Sequence, residues 1–220
     1  MSDDAASNVI ALYQAYAADF DRSRSRELME KPWLDRFLAH LPPKVSILDM
    51  GCGAGEPIAR YCIERGHQLT GIDASISLIS LCRERFPGHR WLVGDMRDLS
   101  LDRRFDGLIA WHSLFHLTPD DQQIVLERSM RRATEDAVML FTAGPDRQET
   151  FGRFCGQTLY HASLAFEEYR LILADGGFEI IAHEIEDQSC GGATIYLARR
   201  SRSSPFRREA LRPCALFCCP

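Results

Sequence analysis

Short apolar runs alternate along this chain with amphipathic stretches, in an order that reads as strand, helix, strand, helix. Val45, Ile47 and Leu48 suit a short parallel strand buried on both faces, and an amphipathic segment from Pro57 to Arg65 follows. His67 to Asp73 predicts a second strand, and Ser75 can cap a helix over Ile76 to Phe86. Further strands are expected over His89 to Gly94, Phe105 to about Trp111, and Ala137 to Thr142. Between the last two, Thr118-Pro119-Asp120-Asp121 has the makings of a helix start. It offers a capping hydroxyl, a proline at the first helical position and acids near the positive end. From Gly144-Pro145 up to Ser163 a long connection shows no obvious structure, and loops of that length are usually functional. Ser163 can cap a helix that Gly176-Gly177 closes. Phe178 to Ile185 and Ala193 to Arg199, joined through Gly191-Gly192, then predict two last strands. Upstream, residues 9–40 predict two amphipathic helices. Leu12, Tyr13, Tyr16, Ala17 and Phe20 stripe the first, and Leu28, Trp33, Leu34, Phe37 and Leu38 the second, before Pro42-Pro43 breaks the chain. Strands separated by helices imply an α/β domain with a mostly parallel sheet.

The first strand runs straight into Asp49, then glycines at 51, 53 and 55. A strand that enters a glycine-rich turn at a helix start is where open α/β sheets bind nucleotide-like ligands. The spacing G-x-G-x-G is not the G-x-G-x-x-G of dinucleotide folds. It also lacks the lysine and hydroxyl residue of a phosphate-cradling loop.

The pattern D-x-G-x-G-x-G at Asp49, Gly51, Gly53 and Gly55 closely resembles the first motif of class I S-adenosylmethionine-dependent methyltransferases. The resemblance implies a Rossmann-like three-layer α/β/α sandwich, its mostly parallel seven-stranded sheet carrying an antiparallel last strand. It implies S-adenosylmethionine as methyl donor, S-adenosylhomocysteine as product and no metal. Gly51, Cys52, Gly53 and Gly55 would pass under the methionine part of the cofactor, whose ammonium and sulfonium favour the Asp49 carboxylate. Asp73 ends the second strand 18 positions beyond Gly55, near the spacing of a ribose-binding carboxylate, with Ala74 beside it. Asp95-Met96 after the third strand resembles the family segment that receives the adenine amino group and covers the ring. At the end of the fourth strand Trp111 or His112 would touch the cofactor. His116 would lie deeper, near the acceptor. The EYRLILADGGFEI segment resembles the late helix-to-strand passage of many members.

A histidine titrates near working pH, so His116 and His161 are the candidate bases, with Tyr160 as an orienting hydroxyl. A carboxylate acceptor would need no base. Tyr13, Tyr16, Phe115 and Tyr160 are candidate acceptor contacts, and residues 1–43 a helical lid over a domain spanning 44–200. The Arg22, Arg24, Arg26 set reads as a solvated face.

Composition narrows the partners. The net charge is −5, and because residues 201–220 carry +3 the body is more acidic than the whole. This favours a small-molecule acceptor over nucleic acid, although the basic tail keeps an RNA methyltransferase open. A cofactor-binding regulatory protein without transfer activity is the other alternative. Eight cysteines include no C-x-x-C pair, which suits buried thiols in a cytoplasmic protein rather than a disulfide framework. No apolar run reaches membrane-spanning length. A monomer or homodimer is expected, and residues 201–220 read as a disordered tail.

Overall fold

The computed structural model describes residues 2–201, without the side chains of residues 2–5 and 7. The expectation for the tail, with Cys214, Cys218 and Cys219, therefore lies outside the described residues beyond Ser201.

In chain order the elements are α1 (Ser2–Ala15), α2 (Ala17–Ser23), α3 (Lys31–Ala39), β1 (Ser46–Met50), α4 (Ile58–Glu64), β2 (Gln68–Asp73), α5 (Ile76–Arg85), β3 (Arg90–Val93) and β4 (Phe105–Ala110). Then follow α6 (Pro119–Arg131), β5 (Ala133–Ala143), β6 (Gln148–Phe154), β7 (Gln157–Ser163), α7 (Phe166–Asp175), β8 (Phe178–Asp187) and β9 (Ala193–Arg200). Seven strands form one sheet in the order β3-β2-β1-β4-β5-β9-β8. β9 is antiparallel to both its neighbours, and the pairs among β1 to β5 are parallel.

Successive residues of β1 explain the three layers. Side chains alternate across a strand; Ile47 joins one apolar cluster with Ile109, Leu140 and Leu197, whereas Leu48 joins another with Leu108, Met139 and Phe141. Ile47 and Leu48 are both fully buried, each worth about 1.5–3 kcal/mol over exposure. Covering both faces of the strand requires helices on both faces of the sheet.

Local chemistry sets the helix starts that matter for the site. The Ser75 hydroxyl accepts from Leu78 N at 3.3 Å, and Thr118 accepts from Asp121 N at 3.2 Å. Each therefore satisfies an otherwise unpaired first-turn N–H.

Three expectations are corrected. The N-terminal region folds as three helices, because the first stripe is interrupted at Tyr16, whose φ of −110° and ψ of 25° leave helical geometry between α1 and α2. The connection after β5 is a β-hairpin, β6 pairing with β7 from Gln148↔Ser163 to Phe154↔Gln157. Ser163 lies inside β7, where its hydroxyl accepts from Gly144 N at 3.0 Å; α7 instead begins after Ala165, whose backbone N–H is taken by the Glu168 carboxylate at 2.9 Å.

Candidate functional site

The C-terminal ends of β1, β2, β3 and β4 open into one cavity of about 280 Å³, roofed by α1 and the segment after α2. Asp49 and Asp73 reach it from adjacent parallel strands, and Asp95 reaches it just beyond β3.

Each acid is held differently. Asp49 is buried, and among the described residues its carboxylate has no hydrogen-bond or ion-pair partner. Burial and the nearby Asp73 charge push its pKa up to about 7. Asp73 accepts two backbone N–H bonds, from Gly53 to Oδ2 and from Ser75 to Oδ1, both 2.9 Å. Burial nevertheless raises its pKa, more than those two bonds lower it. Asp95 is clamped by Arg97, 2.6 Å from Nη2 to Oδ2, while Arg97 Nη1 reaches Asp121 at 3.1 Å. Burial pulls Asp95 upward, but Arg97 outweighs it and holds the carboxyl below its ordinary range.

Gly51 and Gly53 carry the turn under the cavity with φ of +74° and +54°. A Cβ on Gly51 would lie 2.3 Å from Ser113 Cβ, and one on Gly53 3.1 Å from the Phe20 ring. Gly51→Ala is therefore expected to lose cofactor binding by calorimetry. Its left-handed backbone adds about 1–2 kcal/mol of strain, so scanning fluorimetry should show melting lowered by roughly 4 °C or more.

Beyond the turn the cavity becomes aromatic. Tyr13, Phe115, His112, His116 and His161 line this part together with Leu159. His112 sits in the left-handed region at φ +49°, its N–H bonded to Thr142 Oγ1 at 2.8 Å. His116 Nδ1 lies 3.0 Å from the Tyr160 carbonyl and Nε2 3.0 Å from the Tyr13 hydroxyl. A carbonyl only accepts, so Nδ1 carries the hydrogen of the neutral ring and Tyr13 donates to Nε2. Burial depresses the pKa of both His112 and His116 to about 4, and burial first, then Asp73, pushes Tyr13 up to about 12.

Most expected site residues thus meet in one cavity. Cys52, Ala74, Met96 and Trp111 also line it, whereas Gly55, Tyr16 and Tyr160 do not. Gly55 faces inward: an added Cβ would meet Phe86 at 2.8 Å, so this glycine serves helix packing. Tyr16 packs edge-on to Phe154, with ring centres 6.3 Å apart. Tyr160 is fully buried in the apolar cluster that includes Val9 and Leu12 and contributes its main-chain carbonyl.

Sequence reasoning missed Phe20, Ser113 and Arg24. Arg24 is not on a solvated face; it lines the cavity and is ion-paired to buried Glu30, while Arg22 and Arg26 bond the helix-surface acids Asp19 and Asp21. The available signal was Glu30, an acid among apolar residues six positions later.

Known proteins agree with this architecture. Residues 47–136, from β1 into β5, match the family described as "Methyltransferase domain". This stretch of the chain is similar to a methyltransferase domain. It is 31% identical over 136 residues to the malonyl-acyl-carrier-protein O-methyltransferase of Salmonella typhimurium, covering 59% of this chain and 53% of that protein. It is likewise 31% identical over 103 residues to the dTDP-3-amino-3,6-dideoxy-alpha-D-glucopyranose N,N-dimethyltransferase of Streptomyces fradiae, covering 46% and 40%. The chain thus spans about half or less of the length of these curated relatives. Among solved structures, the Burkholderia thailandensis 1,6-didemethyltoxoflavin-N1-methyltransferase, with S-adenosylhomocysteine bound, superposes with a TM-score of 0.72. Its identity is 19%, and the match covers 91% of each chain. No helix among the described residues is long and apolar enough to cross a membrane.

Proposed function

We propose that this protein transfers a methyl group from S-adenosylmethionine to an oxygen or nitrogen of a small-molecule acceptor in the cytoplasm, releasing S-adenosylhomocysteine. The observation that carries the reading is a pair of carboxylates, Asp49 buried and Asp73 half-buried, without a cation partner among the described residues, at adjacent strand ends over a glycine turn. Two uncompensated acids in one cavity fit a ligand bearing an ammonium and a sulfonium, because a buried charge is stable only when paired.

In this assignment Asp73 takes the ribose diol with the lone pairs its backbone bonds leave free, and Ala74 lies beside the sugar. Asp95, held by Arg97, receives the adenine amino group, with Met96 against the ring. Asp49, Gly51, Cys52 and Gly53 hold the methionine part, with Trp111 and His112 at its far side. Helix α1 and the segment after α2 act as the lid, whereas α3 of the expected lid packs Trp33, Leu34 and Phe37 into the core against the sheet. Bound there, the cofactor supplies an electrophilic methyl on a good leaving group. The chain's own task is to align the acceptor, keep water out and accept a proton where the acceptor carries one.

The proton path follows from the tautomer. Both nitrogens of His116 are engaged, so an acceptor proton reaches Nε2 through the Tyr13 hydroxyl, which passes its own hydrogen on. His116→Ala is expected to bind S-adenosylhomocysteine within about twofold of wild type but to slow single-turnover transfer by roughly 10²–10⁴-fold. Tyr13→Phe should slow it comparably. Equal transfer rates in all three proteins would exclude the relay.

The reading itself is tested by titrating the protein with S-adenosylhomocysteine, then incubating it with methyl-labelled cofactor and pooled small metabolites. Saturable binding and labelled small products by mass spectrometry are expected. Absence of binding would end it.

A further inference from the structure

A second hollow, of about 220 Å³, lies on the far side of Phe115 and His161, and those two residues line both spaces. Its floor is the β6–β7 hairpin. Thr150 stands directly opposite His161 and Gln148 opposite Ser163, and opposed residues of an antiparallel pair project to the same face. Gly152 leaves the room that His161 occupies, since a Cβ there would lie 2.9 Å from the ring Cε1.

The polar groups of this hollow fall into two sets. Ser163 and Thr194 spend their hydroxyls on backbone, accepting from Gly144 N at 3.0 Å and Glu186 N at 3.2 Å. Gln148, Thr150 and Glu186 have no side-chain hydrogen-bond or ion-pair partner among the described residues, and all three border the same space. Glu186 is the one acidic side chain in the lining, and burial holds the His161 imidazole below its ordinary pKa. The two spaces share a wall of touching rings, with Phe115 centred 4.8 Å from His116 and 5.3 Å from His161. A flat apolar group lying over the edge of such a wall packs on it by stacking or edge contacts.

We infer that the hollow beyond Phe115 and His161 is a distal acceptor subsite, selecting acceptors with a flat apolar middle and a positively charged amine at the end remote from the methylated atom. The inference rests on the methyl-transfer reading above. The ring wall packs against the flat part. Gln148 and Thr150 offer hydrogen bonds, and the Glu186 carboxylate sets the sign of the charge preferred.

The test uses three probes that differ only at the remote end: tyramine, N-acetyltyramine and 4-hydroxyphenylacetate. They carry an ammonium, a neutral amide and a carboxylate. Affinity for protein saturated with S-adenosylhomocysteine is read by ligand-observed NMR. Tyramine should bind about threefold or more tighter than the amide and about tenfold tighter than the carboxylate, as expected for a partly exposed charge pair. Glu186→Gln should bring tyramine and the amide level. Thr150→Trp, which fills the hollow from an exposed hairpin position, should weaken all three by about tenfold. Calorimetry with S-adenosylhomocysteine alone should be unchanged in both variants. If the wild-type protein fails to bind S-adenosylhomocysteine, the methyl-transfer reading fails. If it binds S-adenosylhomocysteine but holds none of the probes, or holds them without regard to remote charge, the subsite inference is overturned. Unaltered probe affinities in Glu186→Gln overturn it even where Thr150→Trp does not fold.

Discussion

Asp73→Ala is expected to abolish measurable binding of S-adenosylhomocysteine. The side chain does two jobs at once. Its two oxygens hold Gly53 N and Ser75 N at 2.9 Å, fixing the glycine turn to the start of α5. The lone pairs left over are those assigned to the ribose diol. Hydrogen bonds to a charged group are worth about 1.5–3 kcal/mol each, so losing two toward the ligand predicts a weakening of roughly 10²–10⁴-fold. The truncation also leaves two buried N–H groups unpaired, and the melting temperature should fall as well. Asp73→Asn separates the two effects. It keeps one acceptor oxygen but turns an amide donor toward a backbone donor, so it should also bind poorly, with a smaller melting loss than the alanine variant. Titration calorimetry and thermal melts on the three proteins decide it: near wild-type affinity in Asp73→Ala would remove the ribose assignment.

The strand ends were legible in the sequence because burial on both faces leaves an unmistakable pattern. Ile47 and Leu48 are apolar in succession, and the acids at 49, 73 and 95 interrupt the pattern where each strand gives out. The helix caps at Ser75 and Thr118 were legible for the same reason: each has a local hydrogen bond to make. The β6–β7 hairpin was not. β6 is mostly exposed, so it carries little apolar alternation. Its turn, Cys155-Gly156, has φ of +49° and +77°. Such positive values at both central residues suit a two-residue hairpin loop, but a cysteine at the first position hides it. Arg24 was misread because its role depends on Glu30 and on the cavity wall, which are tertiary facts. Gly55 shows the opposite error, a motif glycine whose missing Cβ makes room for Phe86. Tyr160 enters the site through its carbonyl, which no side-chain pattern can announce.

Asp49→Asn should stabilise the empty protein while weakening its hold on the cofactor. The carboxyl is buried near Asp73, and burial first, then the Asp73 charge, pushes its pKa up to about 7, well above the ordinary aspartate range. For an acid raised on folding, the favourable contribution is complete below the unfolded pKa. It is lost as pH climbs from about 4 through 7, because the unfolded chain ionises first. Below about pH 6.5 the buried neutral His112 and His116 give the opposite slope, and they give it to both proteins. The melting difference in favour of the asparagine variant, which has nothing to ionise at 49, should therefore widen steadily between pH 5 and 7.5. The nearby thiols of Cys52 and Cys62 do not add to the slope, since burial keeps both protonated well above neutrality. Cofactor binding has the reverse sign. An ammonium and a sulfonium favour the ionised form, so binding near pH 6 should expel a proton, and affinity should rise with pH until about 7 and then level. Asp49→Asn should bind roughly 10–100-fold more weakly at pH 7.5, the worth of one charge-assisted hydrogen bond, and should lose most of the pH dependence. Calorimetry near pH 6 in two buffers of different ionisation enthalpy reads the proton directly. Equal heats in both buffers would mean that Asp49 is already ionised in the empty protein, and the electrostatic match proposed for the cofactor would have to come from Asp73 alone.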